Sequence, residues 1–378
     1  PPRSTLFPYT TLFRSNLTEN AAKIKTQYYV NKLMAFFLSS NYGQKQIIEY
    51  TVHTNQPKLA LFRIKKINIP LPPLAEQHRI VNKIEELFTN LDKGIEYLKT
   101  AQAELKVTRQ SVLKYALEGK LTEDWREKNK GKIEPASVLL EKIKSEIKKE
   151  GKYKDLPPID KPESTNLSEG WVWTSLSEIR LDRSQNIDPS KYPEETFELY
   201  SVPNFDIGIP EIVQGKDIGS NKQIVEKNTV LLCKINPRIN RVWVVGDHTK
   251  NKKIASTEWI AFFGINEILP KYLCYFMGNN SFRNFLAANV SGVGGSLMRI
   301  KSSTFANYPF PLPPISEQQR IVEIIENYYS ILDNMETTIS QSLIQTSGIR
   351  QSIQKKAFEG RLVPQDQTMS MHQSYLKE

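Results

Sequence analysis

Histidine and cysteine are scarce in this chain, with four of the first and two of the second among 378 residues. His53, His78, His248 and His372 lie scattered, and Cys233 and Cys274 form no Cys-x-x-Cys pair. Neither a zinc site, nor a disulfide framework, nor a general-base histidine is therefore expected. Two buried thiols in a reducing compartment are the default reading. Long apolar runs are missing too. The longest, Leu33–Leu38, falls far short of the about 20 residues that cross a bilayer, and no basic-then-apolar leader opens the chain, so a cytoplasmic protein with no membrane partner is expected. No GxxxxGK[ST] phosphate loop occurs, and Gly292-Val293-Gly294-Gly295 lacks the strand, spacing and acidic partner of a dinucleotide loop. With no Asn/Asp-Pro-Pro-aromatic motif and no carboxylate cluster suited to a nuclease metal, no catalytic residue and no metal site is expected.

What the chain does have is enough apolar content, 39%, to bury a sizeable core in two or three domains. Its 51 Lys and Arg against 41 Asp and Glu give a net charge of +10, which favours a polyanionic partner. It also has an internal repeat. PLPPLAEQHRIV at 70–81 returns as PLPPISEQQRIV at 311–322, 241 positions later. At the same offset Asp92 falls on Asp333, Ala116 on Ala357, Glu118-Gly119 on Glu359-Gly360 and Leu121 on Leu362. Upstream, Leu59, Ile64, Ile67 and Ile69 fall on Ile300, Phe305, Tyr308 and Phe310. The repeated unit is thus a domain tail, a Pro-rich joint and a long segment.

That segment is helical by pattern. Ile84, Leu91, Leu98, Leu105 and Val112 recur every seven residues, supported by Leu87, Phe88 and Ile95. The second copy places Ile325, Leu332, Ile339, Thr346 and Ile353 in register, with Tyr328, Met335 and Ile349 beside them. Each stripe is read as the other's packing partner, since an isolated apolar seam of this length would aggregate. Prolines exclude a helix upstream, Glu76 and Glu317 suit the first turns, and Gly119 and Gly360 suit the ends. From Glu76 to Glu118 such a helix is about 65 Å long.

The segment order expected from these signals begins with 1–15, whose TLFPYTTLFRS resembles a translated sequencing-library adapter and reads as non-native. Residues 16–69 form the tail end of a first globular domain, 70–119 a long helix and 120–167 a charged linker with a short amphipathic helix near Ala136–Ile147. Residues 168–310, rich in Trp and in strand-like runs such as TVLLCKI and WIAFF, form a complete second domain. A second long helix at 311–361 and a loose tail at 362–378 follow.

With domain, joint and rod written twice, the chain resembles the specificity subunit of type I DNA restriction–modification systems. The residues that carry this are PLPPLAEQHRIVNKIEELF with KYALEGKLTEDWRE, PLPPISEQQRIVEIIENYY with KKAFEGRLVPQ, EGWVW at 169–173, VLLCKINPRINRV at 230–242 and STEW at 256–259. The resemblance implies an α+β fold: mixed α/β globular target recognition domains joined by two long antiparallel coiled-coil helices. It implies that each globular unit reads one half of a split site on double-stranded DNA. It further implies docking of two modification (methyltransferase) subunits and of restriction/translocase subunits, with S-adenosylmethionine, ATP and Mg2+ belonging to those partners and no cofactor to this chain. A rod of this length against roughly 34–36 Å per turn of B-DNA lets the helix act as a ruler between half-sites.

Within the second domain, Lys234, Arg238, Arg241, Lys250, Lys252 and Lys253 face one carboxylate in sequence, Asp247, with Asn236, Asn240 and Trp243 interleaved. Such a mixture neutralises phosphates while Asn and Arg read base edges. Ser291–Lys301, a Gly-rich loop with Ser296, Arg299 and Lys301, is a second candidate, because small residues permit close approach to a phosphate. Its first-copy counterpart, Tyr50–Ala60, keeps polar groups from His53 to Lys58 but no glycine. Arg79 and Arg320, present in both copies, suit structural ion pairs. The competing readings are a coiled-coil scaffold with incidental basic charge and a fused restriction enzyme with methyltransferase motifs upstream of Asn16.

Overall fold

The structure, a computed structural model, describes residues 22, 24, 26–52, 59–149, 159, 167–180, 185–264, 267–290 and 298–364. The adapter-like segment 1–15 and the tail from 365 lie outside them. The chain divides into two units, one of residues 1–104 with 334–378 and one of 105–333. Helices and strands mix as the α+β reading requires.

In the first unit, helices α1 (Asn31–Ser39) and α2 (Asn41–Tyr50) meet at Ser40, whose side chain accepts from the Gly43 N–H at 3.3 Å and starts α2. A short turn, α3 (Leu61–Ile64), and a stretch over 67–73 that is neither helix nor strand lead to the long helix α4 (Leu74–Leu117). Pro70, Pro72 and Pro73 lack N–H groups and hold this stretch out of the helix, so α4 begins at the residue after the last of them. Gln77 then clamps the joint: its amide donates to the Tyr28 and Pro72 carbonyls at 3.0 and 2.9 Å, and accepts from the Val30 N–H at 2.7 Å. Leu33 of α1 packs with Ile80, Val81 and Ile84 of α4 and with Ala357 of the second long helix, α9 (Ile315–Phe358).

The second unit opens with helices α5 (Glu123–Lys128) and α6 (Ala136–Lys149). The charged linker expected at 120–167 is more than a connector, because α6 buries Ala136, Leu139, Leu140, Ile143 and Ile147 in the unit's core. Its Lys and Glu residues occupy the other face of a period of three to four. Strand β1 (Val172–Ser175) pairs antiparallel with β10 (Pro309–Leu312). Strands β2 (Gln185–Ile187), β3 (Thr196–Tyr200), β4 (Glu211–Gln214), β5 (Lys222–Ile224) and β8 (Lys252–Ser256) form a five-stranded sheet in the order β2-β5-β8-β3-β4. Strands β6 (Val230–Cys233), β7 (Val242–Val244) and β9 (Trp259–Phe262) form a second sheet with β6 in the middle. All four residues of β6 and of β9 are buried, which is why these runs are continuously apolar and do not alternate. Helices α7 (Pro270–Gly278), α8 (Asn280–Ala288) and the first part of α9 (Ile315–Phe358) cover the core.

The repeat written in the sequence is a repeat of contacts. Gln318 donates to the Glu267 and Pro313 carbonyls and accepts from the Leu269 N–H, as Gln77 does from its own tail. Phe36 meets Phe88 edge-on with centroids 5.7 Å apart, and Tyr275 meets Tyr329 the same way at 5.8 Å. Lys32 pairs with Glu85, and Lys271 with Glu326. Helices α1 and α2 correspond to α7 and α8 at an offset of 239, two less than that of the rods. The chain between α2 and the joint is therefore two residues longer in the second copy, a slip that matching at a single offset does not detect.

Both rods are 44 residues, about 66 Å. Within each unit they run in opposite directions: Asp92 lies by Arg350 while Ile84 packs with Ala357, and Arg109 lies by Asp333 while Thr122 meets Glu317. Ile84, Val112, Ile325 and Leu332 are buried, and Leu91, Leu98, Leu105, Ile339 and Ile353 are half-buried. Tyr328, Met335 and Ile349, read as flanking the second stripe, are about half exposed and lie off the seam. Gly119 and Gly360 both take φ +70°, the left-handed stop that glycine adopts without a Cβ clash.

Candidate nucleic-acid interface

The basic stretch leaves the end of β6 at Lys234, turns, and returns through β7 to β8. The turn takes its shape from Asn236 and Asn240, both left-handed at φ +49° and +52°, a region that asparagine tolerates far better than branched residues. Asn240 is held inside: its amide donates to the Met277 carbonyl at 2.9 Å, and its Oδ1 is buried. Lys253 is held inside as well, 12% exposed, with its ammonium 3.0 Å from Asp247 and 3.8 Å from Glu198. Burial alone would raise the fully buried Glu198 carboxyl. Hydrogen bonds from Tyr200 and Thr249, with the Lys253 charge, outweigh it and hold the group below its usual range. Asn240 and Lys253, both expected to contact DNA, thus also have groups engaged within the fold: the Asn240 amide N–H with Met277, and the Lys253 ammonium with Asp247 and Glu198.

Arg238, Lys250, Lys252 and Lys301 are exposed, and Arg241 is half-buried against Cys233. Lys252 lies 5.8 Å from the Tyr192 ring centroid, so a cation and an aromatic face stand together on this edge. Ser296 and the first-copy residues His53–Lys58 lie outside the described residues. Arg320 pairs with Glu323 at 3.1 Å, within its own helix.

The structure assembles one cluster that neither candidate stretch contains alone. The Ile300 N–H donates to the Lys234 carbonyl at 3.1 Å and the Asn236 N–H to the Met298 carbonyl at 3.0 Å, joining residues 298–301 to the β6–β7 turn. Lys234 and Arg299 thereby come together, Arg299 meets the Glu258 carboxylate at 2.7 Å, and the charges of Glu258, Arg180 and Arg299 all act on Lys234. Burial lowers the Lys234 pKa, Glu258 opposes that, and the Arg180 and Arg299 charges lower it further. Arg180 and Lys234 line a cleft of about 270 Å³, with Asn186, Gln223 and Ser302 at its side. Cationic and polar side chains stand together here, the composition that holds a phosphate next to a base edge. Arg180 lies outside the dense basic run and only the fold delivers it, anchored by a 3.4 Å bond to the Ala261 carbonyl and by the Phe262 ring. Among the described residues no group of three or more His, Cys, Asp or Glu is placed to hold a metal, and no helix is long and apolar enough to cross a membrane.

Comparison with known proteins places the chain among others of this shape. The family described as "Type I restriction modification DNA specificity domain" matches residues 10–106 and 174–345, well over half of the chain. The specificity subunit of the type I restriction enzyme EcoKI of Escherichia coli K12 is 25% identical over 335 residues. That match covers 88% of this chain and 66% of the relative, so the chain spans just under two thirds of its length. Among solved structures, a chain from work on complex assembly and conformational transition of the type I R-M system superposes with a TM-score of 0.60 at 18% identity, covering 89% of this chain and 72% of that one. The HsdS subunit of Thermoanaerobacter tengcongensis gives 0.51 at 18% identity, covering 88% and 70%.

Proposed function

Since this chain belongs to the family of type I restriction modification DNA specificity domains, we propose that it is the DNA-reading, non-catalytic part of a type I restriction–modification complex. In this reading the second unit's Arg180–Lys234 cleft and the neighbouring Arg299, with Lys250, Lys252 and Lys301, contact one half of a bipartite site on double-stranded DNA. The paired rods set the distance to the other half, and they dock two modification subunits and the restriction/translocase subunits. Those partners methylate adenine and cut DNA, using S-adenosylmethionine, ATP and Mg2+. The observation that carries the proposal is the doubled contact set, joint for joint and rod for rod, since a target in two halves needs its reader built twice. The net charge of +10 supports a polyanionic partner.

The test is co-expression with the modification subunits encoded beside a type I specificity gene. The reading expects a stable complex whose duplex affinity falls steeply with salt. A chain that purifies alone and binds DNA independently of salt contradicts it.

A further inference from the structure

The second unit holds a cleft of about 780 Å³, lined by the C-terminal part of α4, by α8, and by Trp173 of β1 and Pro309 and Pro311 of β10. Four cations border it, Lys106, Arg109 and Lys114 from α4 and Arg283 from α8, with one carboxylate, Glu118. Arg109 is committed to Asp333, and Lys114 lies 3.9 Å from Glu118. Lys106 and Arg283 make no ion pair and no side-chain hydrogen bond among the described residues. Trp173 is in the same condition. It is half-buried, yet its indole N–H has no acceptor and its ring no aromatic neighbour among the described residues, whereas the indoles of Trp171 and Trp259 donate to Glu317 and to the Tyr200 carbonyl.

The first unit shows what closes such a cleft. At the offsets of 239 for the short helices and 241 for the rods, Tyr42 stands at Ser281, Gln44 at Arg283 and Ser347 at Lys106. The Tyr42 hydroxyl donates to Glu359, the counterpart of Glu118, at 2.6 Å, and the Gln44 amide donates to the Leu38 carbonyl at 2.6 Å. Arg350 and Lys355 repeat Arg109 and Lys114. The cations that both copies keep are therefore the ones already set against carboxylates, and the two that only the second copy has are uncommitted. Ser281 leaves open the space that a tyrosine ring crosses in the first unit.

Two unpaired cations from two different helices match a phosphate monoester, which carries about −1.5 to −2 at pH 7, and would overmatch a carboxylate. An uncommitted indole beside them offers a face on which a base stacks. The volume lies within the roughly 300–1,000 Å³ of small-molecule sites. We propose that this cleft binds a free nucleoside monophosphate, with its phosphate between Lys106 and Arg283 and its base against Trp173. The inference stands on the contrast between the two units and not on DNA reading.

Isothermal titration calorimetry of the full chain with AMP, and in turn with CMP, GMP and UMP, tests it. Saturable binding of at least one of them is expected, with its nucleoside and inorganic phosphate each weaker by about tenfold or more. Arg283→Gln and Ser281→Tyr, which install the first unit's residues, should each weaken binding by about tenfold or more. Thermal melts followed by circular dichroism check that both variants stay folded, and Lys106→Ser, at an exposed position on α4, supplies the same test should either melt early. Absence of saturable heat with all four nucleotides overturns the proposal, as does binding that the substitutions leave unchanged. Inorganic phosphate binding as tightly as the nucleotide would overturn the role of Trp173. A single-stranded oligonucleotide that binds more tightly, with the same loss on Ser281→Tyr, would overturn the free ligand by showing that the cleft takes a strand.

Discussion

The guanidinium of Arg109 on α4 donates to the Asp333 carboxylate on α9 at 2.5 Å and lies over the Tyr329 ring, 4.5 Å from its centroid. One repeat away, Arg350 makes the same two contacts, with Asp92 and with the Phe88 ring at 4.4 Å. All three partners in the second set are displaced from the first by the repeat offset of 241. Each unit thus carries the same arrangement, an arginine of one long helix set against an aspartate and an aromatic ring of the other. The ion pairs lie near solvent, with Asp333 and Asp92 each more than 60% exposed. Double-mutant cycles by urea unfolding should give a coupling of about 1 kcal/mol or less in each pair, similar in both and reduced at high salt.

Glu317 and Glu76 provide a matched pair for the joint. Glu317→Ala leaves Arg126 buried without its carboxylate and removes the acceptor of the Trp171 indole, so a loss of about 3 kcal/mol or more is expected. Glu76→Ala, at the same place in the first joint, should change stability by less than about 0.5 kcal/mol. Equal effects in chemical denaturation would contradict the difference in surroundings.

The difference between these two carboxylates marks the limit of what the sequence discloses. The heptad stripe from Ile84 to Val112, the proline stops and the glycine ends are local, and the mixed helix-and-sheet class is legible from them and from the Trp-rich runs. Glu317's partners lie 191, 195 and 146 residues away, and no periodicity connects Arg126, Thr122 and Trp171 to it. Positive charge is dense over Lys234–Lys253 in the sequence. That density conceals that Lys253 is neutralised by Asp247 and Glu198, and that Asn240 shapes a turn. Arg180 reaches the cleft because β9 and the β6–β7 turn converge on it, a fact of topology. The charged α6 reads as linker because burial of one face in four does not alter its composition.

The two thiols should be silent in the folded chain. Burial pushes Cys274 up to about 12 and raises Cys233 as well. At pH 8 only about one Cys274 in ten thousand is then thiolate, the form that reacts. A colorimetric thiol assay should find neither cysteine in native protein and both in strong denaturant. Rapid native reaction of Cys274 would contradict its packing beneath the Val242 carbonyl.

Acid should weaken the second unit through Glu198. Its carboxyl is held below the ordinary 4.5, so the unfolded chain binds its proton more readily than the folded one. The stability it contributes is present in full above the unfolded value and is lost as pH falls through the lower folded value. Melting temperature should therefore drop between about pH 5 and pH 3. Glu198→Gln should melt lower at neutral pH and show a flatter profile over that window.

The most direct measurement is to co-express the chain with type I modification subunits, as the proposed function requires, and to sequence the duplexes that the product retains from a random pool. The account predicts enrichment of a defined motif. With Arg180, Lys234 and Arg299 all changed to Ala, that enrichment should be lost and the salt slope of binding should shrink by roughly 0.9 for each phosphate contact removed. A retained pool as random as the starting one, or a motif that survives the triple substitution, would contradict it.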